Sequence, residues 1–140
     1  FAIGNEEIIN DLEKIKFSTN PYSINRLTLL AGVAALESDN YYKENAKKII
    51  EARDYTVKEL EKLGFYTLPS KANFIFAKAD FISGEELYKE LKSKGILVRH
   101  FTDEKIKDFN RITIGTKEQM QKLIETIILI KGEVKWELQL

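Results

Sequence analysis

Residues 111–119 read Arg-Ile-Thr-Ile-Gly-Thr-Lys-Glu-Gln, and this stretch predicts the change from a β-strand to an α-helix. Residues 111–114 alternate polar and apolar side chains, which is the pattern of a half-buried strand. Thr116 and Gln119 then have the spacing of a capping box, so we expect a helix to begin between them. The apolar residues of that helix recur at helical spacing: Met120, Leu123, Ile124, Ile127 and Ile128.

Strand and helix patterns also alternate upstream of this stretch. Strands are predicted at Phe65–Leu68, Asn73–Lys78 and Ile96–Phe101, the last followed by a polar loop, Thr102–Asn110. Ser83 begins a second capping box, which predicts a helix that ends near Gly95. These elements predict an α+β fold, in which a small, mainly antiparallel sheet has helices packed on one face.

The first third of the sequence is helical in pattern. Helices are predicted at Glu6–Ile15, Ser23–Leu36 and Asn40–Leu63, and Asn5 is a suitable cap for the first. The second helix is apolar on nearly all sides, which predicts burial between other elements.

Three regions follow from these patterns. Residues 1–38 are interpreted as a helical arm and the start of an inter-domain connection, and residues 39–131 as an α+β small domain. Residues 132–140 are interpreted as an extended tail of unclear origin, because apolar and polar residues alternate from Val134 to Leu140.

Composition excludes several classes of function. The 140 residues carry 22 basic and 22 acidic side chains and no cysteine, and 44% are hydrophobic. A balanced charge argues against a general nucleic-acid binder, and no apolar stretch is long enough to span a bilayer. We therefore expect no nucleic-acid partner and no membrane partner. The absence of cysteine fits a cytoplasmic protein and excludes thiol chemistry.

Self-contained catalytic sites are poorly supported. His100 is the only histidine, which excludes a histidine pair for a metal and makes a Ser-His-Asp triad improbable. The seven glycines are scattered and form no phosphate-binding loop. The sequence therefore predicts no metal site and gives little support to a self-contained catalytic site.

The arginines are more informative, because the sequence has only 4 of them and 18 lysines. Lysine is the usual surface cation of this chain, so an arginine at a strand end indicates a need for its forked guanidinium group. Arg99 and Arg111 lie in or beside predicted strands, and a guanidinium binds carboxylate or phosphate oxygens two at a time. Two such groups on neighbouring strands would form an anion clamp. Structural salt bridges are the alternative, and spacing alone favours them.

Two further features have a functional and a structural interpretation. Arg53 lies among dense charges on a predicted helix, which favours structural pairing, and Arg26 is undecided. Gly115-Thr116 at a helix start could hold a phosphate, but simple helix capping is favoured.

Five segments, in this order, resemble the C-terminal part of histidinol-phosphate aminotransferases, which are pyridoxal-phosphate enzymes of the aspartate-aminotransferase fold type. Together they cover nearly the whole chain up to about Lys131. The segments are Phe-Ala-Ile-Gly-Asn (1–5), Asn-Pro-Tyr-Ser-Ile-Asn (20–25), Pro-Ser-Lys-Ala-Asn-Phe (69–74), Gly-Ile-Leu-Val-Arg (95–99) and Arg-Ile-Thr-Ile-Gly-Thr (111–116).

The resemblance implies a role for both strand arginines. In the family, the arginine matched by Arg111 grips the anionic end of the substrate, and the one matched by Arg99 assists it. The family enzyme exchanges an amino group between glutamate and imidazole-acetol phosphate in histidine biosynthesis, so its small-molecule substrates present a carboxylate or a phosphate. The implied fold is the small domain of a fold-type I aminotransferase, and the implied assembly is a homo-oligomer.

The resemblance also implies what this chain lacks. The family's Schiff-base lysine lies just upstream of the segment matched by residues 1–5, so we expect no cofactor-binding residue here. Pyridoxal phosphate would belong to the full-length parent, and the 140 residues alone would be inactive. The tail, residues 132–140, has no clear counterpart in the family pattern.

Two alternatives stay open at this point. One is a related fold-type I enzyme, either another aminotransferase or a threonine-phosphate decarboxylase. The other is a non-catalytic, stand-alone binding module that kept the fold and lost the chemistry.

Overall fold

The computed structural model describes residues 2–22 and 24–137, with the backbone alone for residues 135–137. It divides into two compact units, an N-terminal unit of residues 1–42 and a C-terminal unit of residues 43–140. The helices and strands, in chain order, are α1 (Glu6–Thr19), α2 (Arg26–Glu37), α3 (Asp39–Lys62), β1 (Phe65–Thr67), β2 (Phe74–Ala79), α4 (Gly84–Ser93), β3 (Arg99–His100), β4 (Asn110–Thr113) and α5 (Lys117–Glu137).

Helices α1 and α2 of the N-terminal unit begin at asparagine caps. The Asn5 side chain accepts a hydrogen bond from the Glu7 amide, and the Asn25 side chain accepts one from the Thr28 amide. None of the described residues of either helix is buried. The predicted burial of the apolar helix α2 is not met within its own unit, where Leu27 is 77% exposed, and it stays a prediction.

The sheet of the C-terminal unit has the strand order β1-β2-β4-β3, and every pair is antiparallel. In the pairing of β2 with β4, Ile75 lies opposite Ile112 and Phe76 lies opposite Arg111. Successive side chains of a strand point to opposite faces. One face, here called the core face, therefore carries the buried isoleucines, and the other, the open face, carries Phe76 and Arg111.

Helices α3, α4 and α5 bury their apolar side chains together with the core face of the sheet. This arrangement confirms the predicted α+β class, a small antiparallel sheet with helices on one face. Each fully buried leucine or isoleucine contributes about 1.5–3 kcal/mol of transfer free energy, so this cluster dominates the stability of the unit. Its largest fully buried apolar side chains are Leu60, Ile75, Leu87, Leu91, Leu123, Ile127 and Ile130.

The first turn of α4 packs closely on the loop that leads into β4. Ser83 and Glu86 form the predicted capping box at the start of this helix. Gly84 is buried, and a Cβ atom placed there would collide with the carbonyl oxygen of Lys107 and lie 2.7 Å from the carbonyl carbon of Asp108. Only glycine allows this approach of the two backbones.

Two predicted extended segments differ in the structure. The strand predicted at Ile96–Phe101 pairs only at Arg99 and His100, because the Ile96 amide donates to the Leu91 carbonyl at 2.8 Å and closes the end of α4 instead.

The extended tail predicted from residue 132 is wrong as far as residue 137, because α5 continues to Glu137. Ile130 and Val134 are four residues apart, so helical spacing also accounts for the apolar character of Val134, which had indicated a strand. Val134 packs partly against the core. Residues 138–140 lie outside the described residues. The division at residues 38 and 131 stays a prediction.

No helix among the described residues has both the length and the apolar content needed to cross a membrane.

Two glycine substitutions should have opposite effects on stability. Gly84→Ala forces apart α4 and the loop before β4, so we expect it to lower the free energy of unfolding by about 1–3 kcal/mol. Gly132→Ala lies within α5, where a Cβ meets nothing within 4 Å, and it should raise that free energy by about 0.5–1 kcal/mol. Urea unfolding measures both, and equal effects would contradict the proposed close approach at Gly84.

Candidate functional site

Arg99 and Arg111 lie directly opposite each other on the neighbouring strands β3 and β4. Residues directly opposite in an antiparallel pair share a face, with Cβ atoms about 4.5–5.5 Å apart. Because Arg111 is on the open face, Arg99 is there too, and both residues are exposed. The tertiary structure thus brings the two sequence-predicted site residues together.

Within the part of the chain that the structure describes, neither guanidinium forms a salt bridge. Among the described residues, no carboxylate and no other hydrogen-bond acceptor pairs with Arg99 or Arg111. Their contacts are with aromatic rings: the Cζ atom of Arg99 lies 5.6 Å from the Phe101 ring centre, and that of Arg111 lies 5.4 Å from the Phe74 ring centre. The alternative of structural ion pairs is therefore absent from the described structure.

Like charges directly opposite each other in a sheet destabilise it, by a few tenths to about 1 kcal/mol. A bound anion would remove this repulsion and would accept up to two hydrogen bonds from each guanidinium. Both side chains carry paired donors that suit a carboxylate or phosphate group, and they lie on one face of the sheet.

Aromatic side chains support the two arginines on the open face. Phe76 stacks on Phe109 with ring centres 4.7 Å apart, and Phe101 meets Phe76 edge to face at 5.7 Å. The Nζ atom of Lys78 lies 5.4 Å from the centre of the Phe109 ring and adds a third cation to this face. This aromatic group was not predicted, although Phe74 and Phe76 are two residues apart in a predicted strand and therefore share one face.

Beneath the arginines, on the core face, lie the next residues of the same two strands. His100 is opposite Asn110 in the β3–β4 pairing. Asn110 is fully buried, and its Nδ2 donates to the Gly84 carbonyl at 2.9 Å. The sequence pattern had placed Asn110 at the end of a polar loop, so its burial was not predicted.

The imidazole of His100 stacks on the Tyr88 ring of α4, with ring centres 6.0 Å apart. Also on α4, Glu85 forms an ion pair with Lys89 at 2.7 Å. The hydrogen bond from Lys89 lowers the pKa of the Glu85 carboxyl, and His100 adds a smaller effect in the same direction.

Arg53 has a structural role, as predicted. Its Nη1 donates to the Ala72 carbonyl at 3.1 Å, and its Nε lies 3.5 Å from an Asp54 carboxylate oxygen. Ser70, two residues before Ala72, also stabilises this segment, because its hydroxyl donates a hydrogen bond to the Phe74 carbonyl at 2.6 Å. Arg53 therefore holds the segment that leads into the strand carrying Phe74.

The start of α5 is capped by the protein itself. The Thr116 amide donates to Gln119 Oε1 at 2.9 Å, and the Gln119 amide donates back to Thr116 Oγ1 at 3.3 Å. This confirms helix capping over phosphate binding at Gly115-Thr116.

A cavity of about 750 Å³ lies between α3 and the start of α5, and neither Arg99 nor Arg111 lines it. Metal binding finds no support either, because no three histidine, aspartate or glutamate side chains of the described chain are grouped to hold an ion.

The chain is similar to known proteins over most of its length. Residues 1–127 match the family model described as aminotransferase class I and II. The protein named histidinol-phosphate aminotransferase in Brachyspira hyodysenteriae is 47% identical over 127 residues, which are 91% of this chain and 36% of that protein. The one of the same name in Clostridium beijerinckii is 46% identical over 138 residues, which are 99% of this chain and 38% of that protein.

The fold of the chain is also similar to that of a solved structure with the same name. The crystal structure of the histidinol-phosphate aminotransferase from Clostridium acetobutylicum superposes with a TM-score of 0.80 at 28% identity, covering 92% of this chain and 39% of that one. These matches confirm the resemblance found in the sequence. The chain spans 36–39% of the length of these three relatives.

The comparison also corrects one expectation. The alignment with the Clostridium beijerinckii protein covers 99% of the chain, so it extends into residues 132–140. That tail therefore has a counterpart in this relative, whereas the family model ends at residue 127.

The paired arginines predict anion-dependent stability. Phosphate at ten times its dissociation constant should stabilise the protein by about 1.4 kcal/mol, and Arg111→Ala should remove most of this gain. Lys122→Ala removes an exposed cation from α5 and serves as the matched control. Thermal unfolding with phosphate, against chloride at equal ionic strength, measures the effect. An equal gain in wild type and Arg111→Ala would show that the pair binds no anion.

Proposed function

Because this chain belongs to the class I and II aminotransferase family, we propose that it is part of a pyridoxal-phosphate-dependent aminotransferase of histidine biosynthesis. The proposed reaction transfers an amino group between glutamate and imidazole-acetol phosphate, with histidinol phosphate as the amino product. Support comes from the two relatives of that name, at 47% and 46% identity. Their similarity covers at least 91% of the chain.

In this proposal the chain supplies the small domain that binds the anionic end of the substrate. The observation that carries it is the pair Arg99 and Arg111, directly opposed on one face and without a carboxylate partner among the described residues. Glutamate presents a carboxylate at the position where histidinol phosphate presents a phosphate. Two guanidinium forks accept either group, since both present oxygens that take paired hydrogen bonds.

The residues of the open face do not fit a complete cofactor site. Pyridoxal phosphate acts as an electron sink when it is bound through a lysine and its pyridinium nitrogen faces a partner group such as aspartate. The lysine on this face, Lys78, is placed over the Tyr66 and Phe109 rings, and no described carboxylate pairs with the two arginines there. We therefore place the Schiff-base lysine and the cofactor pocket in the remainder of the protein, so that the 140 residues alone are inactive.

The proposal includes a homo-oligomer in the cytoplasm. Exposed apolar patches mark interaction surfaces, and α2 presents a nearly continuous one. The absence of cysteine in the sequence fits a reducing compartment. The exposed apolar residues of α2 are Leu27, Leu29, Leu30, Val33 and Leu36.

The proposed clamp predicts a specific kinetic defect in the full-length protein. Arg111→Ala should raise the KM for both glutamate and histidinol phosphate by about 10- to 100-fold, because a hydrogen bond to a charged group contributes about 1.5–3 kcal/mol. Arg99→Ala should act in the same direction. Cofactor affinity, followed by absorbance, should change little in either variant.

Lys122→Ala again provides the control, because it removes one positive charge from an exposed position on α5. Its KM values should match those of the wild type. If Arg111→Ala left both KM values unchanged, the assignment of Arg111 as the anion-binding residue would be wrong.

The oligomer predicts sensitivity to charge on α2. Leu30→Glu introduces a carboxylate into the exposed apolar surface and should shift the full-length protein towards monomer in sedimentation-velocity experiments. Lys58→Glu makes a larger change of charge outside helix α2, on α3, and should leave the sedimentation coefficient unaltered. A wild-type monomer at high concentration would contradict the proposal.

A further inference from the structure

We propose that His100 and Asn110 are positioning residues for the two arginines: His100 Nδ1–H donates to a buried water that donates in turn to Asn110 Oδ1, and this hydrogen-bonded link sets the spacing of Arg99 and Arg111. The inference rests on the proposed function of the arginine pair and extends it to two residues that touch no substrate.

The first observation is a pair of unsatisfied atoms. His100 Nδ1 and Asn110 Oδ1 are both buried side-chain atoms without a hydrogen-bond partner among the described residues. A buried polar atom left unpaired costs about 1–3 kcal/mol, so native proteins rarely leave two of them together. An imidazole nitrogen that carries its proton donates, and an amide oxygen accepts, so the two atoms are complementary.

The second observation is their placement. His100 and Asn110 are directly opposite in the β3–β4 pairing, so their side chains are neighbours on the core face. The bond from Asn110 Nδ2 to the Gly84 carbonyl, 2.9 Å long, orients the amide and leaves its oxygen free. Stacking on Tyr88 restrains the imidazole ring in the same way. Both groups are therefore restrained on neighbouring positions of the core face, each with an unpaired polar atom.

The third observation is the shortness of β3. This strand has only two residues, Arg99 and His100, and both of its partners are on β4. Repulsion between Arg99 and Arg111 acts to separate the strands at this point. A buried bond from the adjacent residues, one on each strand, opposes that separation and keeps the two guanidinium groups within reach of one anion.

Other charged groups near His100 do not replace this bond. On α4, Glu85 is paired with Lys89, and Lys92 lies over the ring of Tyr88, 5.7 Å from its centre. The neighbouring Arg99 is on the opposite face of the sheet. The neutral imidazole can supply the donor as well as the charged one, provided that Nδ1 carries the proton.

The kinetic test uses two matched substitutions in the full-length protein. His100→Asn places an amide nitrogen where Nδ1 lies and keeps the donor to Asn110. His100→Gln places its amide nitrogen where Nε2 lies and loses that donor. Both variants lose the imidazole stacked on Tyr88, so they differ mainly in the proposed bond.

We expect His100→Gln to raise the KM for histidinol phosphate about tenfold, with a smaller change in kcat, because small displacements of binding groups are costly. His100→Asn should stay within about twofold of the wild type. If the two variants behaved alike, either both impaired or both unimpaired, the positioning role would be excluded.

The bond itself is tested by ¹⁵N NMR of histidine-labelled protein, in which the resonances absent from His100→Gln identify His100. At a pH where the ring is neutral, we expect the proton on Nδ1. A proton on Nε2 would overturn the inference whatever the kinetics show.

Arg111→Ala, measured alongside, separates this inference from the proposed function. If Arg111→Ala raises KM and His100→Gln does not, only the positioning role fails. If Arg111→Ala has no effect, the clamp fails, and the tautomer of His100 still decides whether the bond exists.

Discussion

The register of β2 against β4 is the constraint on which the candidate site depends. Ile75 lies opposite Ile112, and both are almost fully buried against the helices. A shift of one residue would expose these side chains and bury an arginine. Burial of the isoleucine pair therefore holds Arg111 on the open face, opposite Phe76. Hydrophobic residues on the core face thus fix the orientation of a charged residue on the open face.

The same sheet carries a local cost in stability. Two arginines stand directly opposite each other, and no described carboxylate neutralises them. A sheet optimised for stability alone would place opposite charges there. The surrounding structure compensates with aromatic contacts on the open face and, in our proposal, with a buried hydrogen bond on the core face. Sheet stability and the proposed anion binding thus make opposing demands on Arg99 and Arg111.

Local signals predicted most helices and strands well, because caps and apolar period act within a few residues. The caps at Asn5, Ser83 and Thr116 all form as predicted. The prediction of an extended tail failed because one apolar residue fits both the two-residue period of a strand and the 3.6-residue period of a helix. Val134 fits the alternation of apolar and polar residues that is typical of a strand, and it also fits the helical spacing that continues from Ile130. Its contact with the core favours the helix.

Sequence by itself determined the fold class, the family and the two arginines worth testing, because these follow from local pattern, composition and segment order. Only the tertiary structure decided that Arg99 and Arg111 are direct neighbours without carboxylate partners, and that Asn110 is buried beneath them. The physical reason is that strand register and burial arise from contacts between segments far apart in the chain, such as Asn110 with Gly84. No local pattern records such a contact.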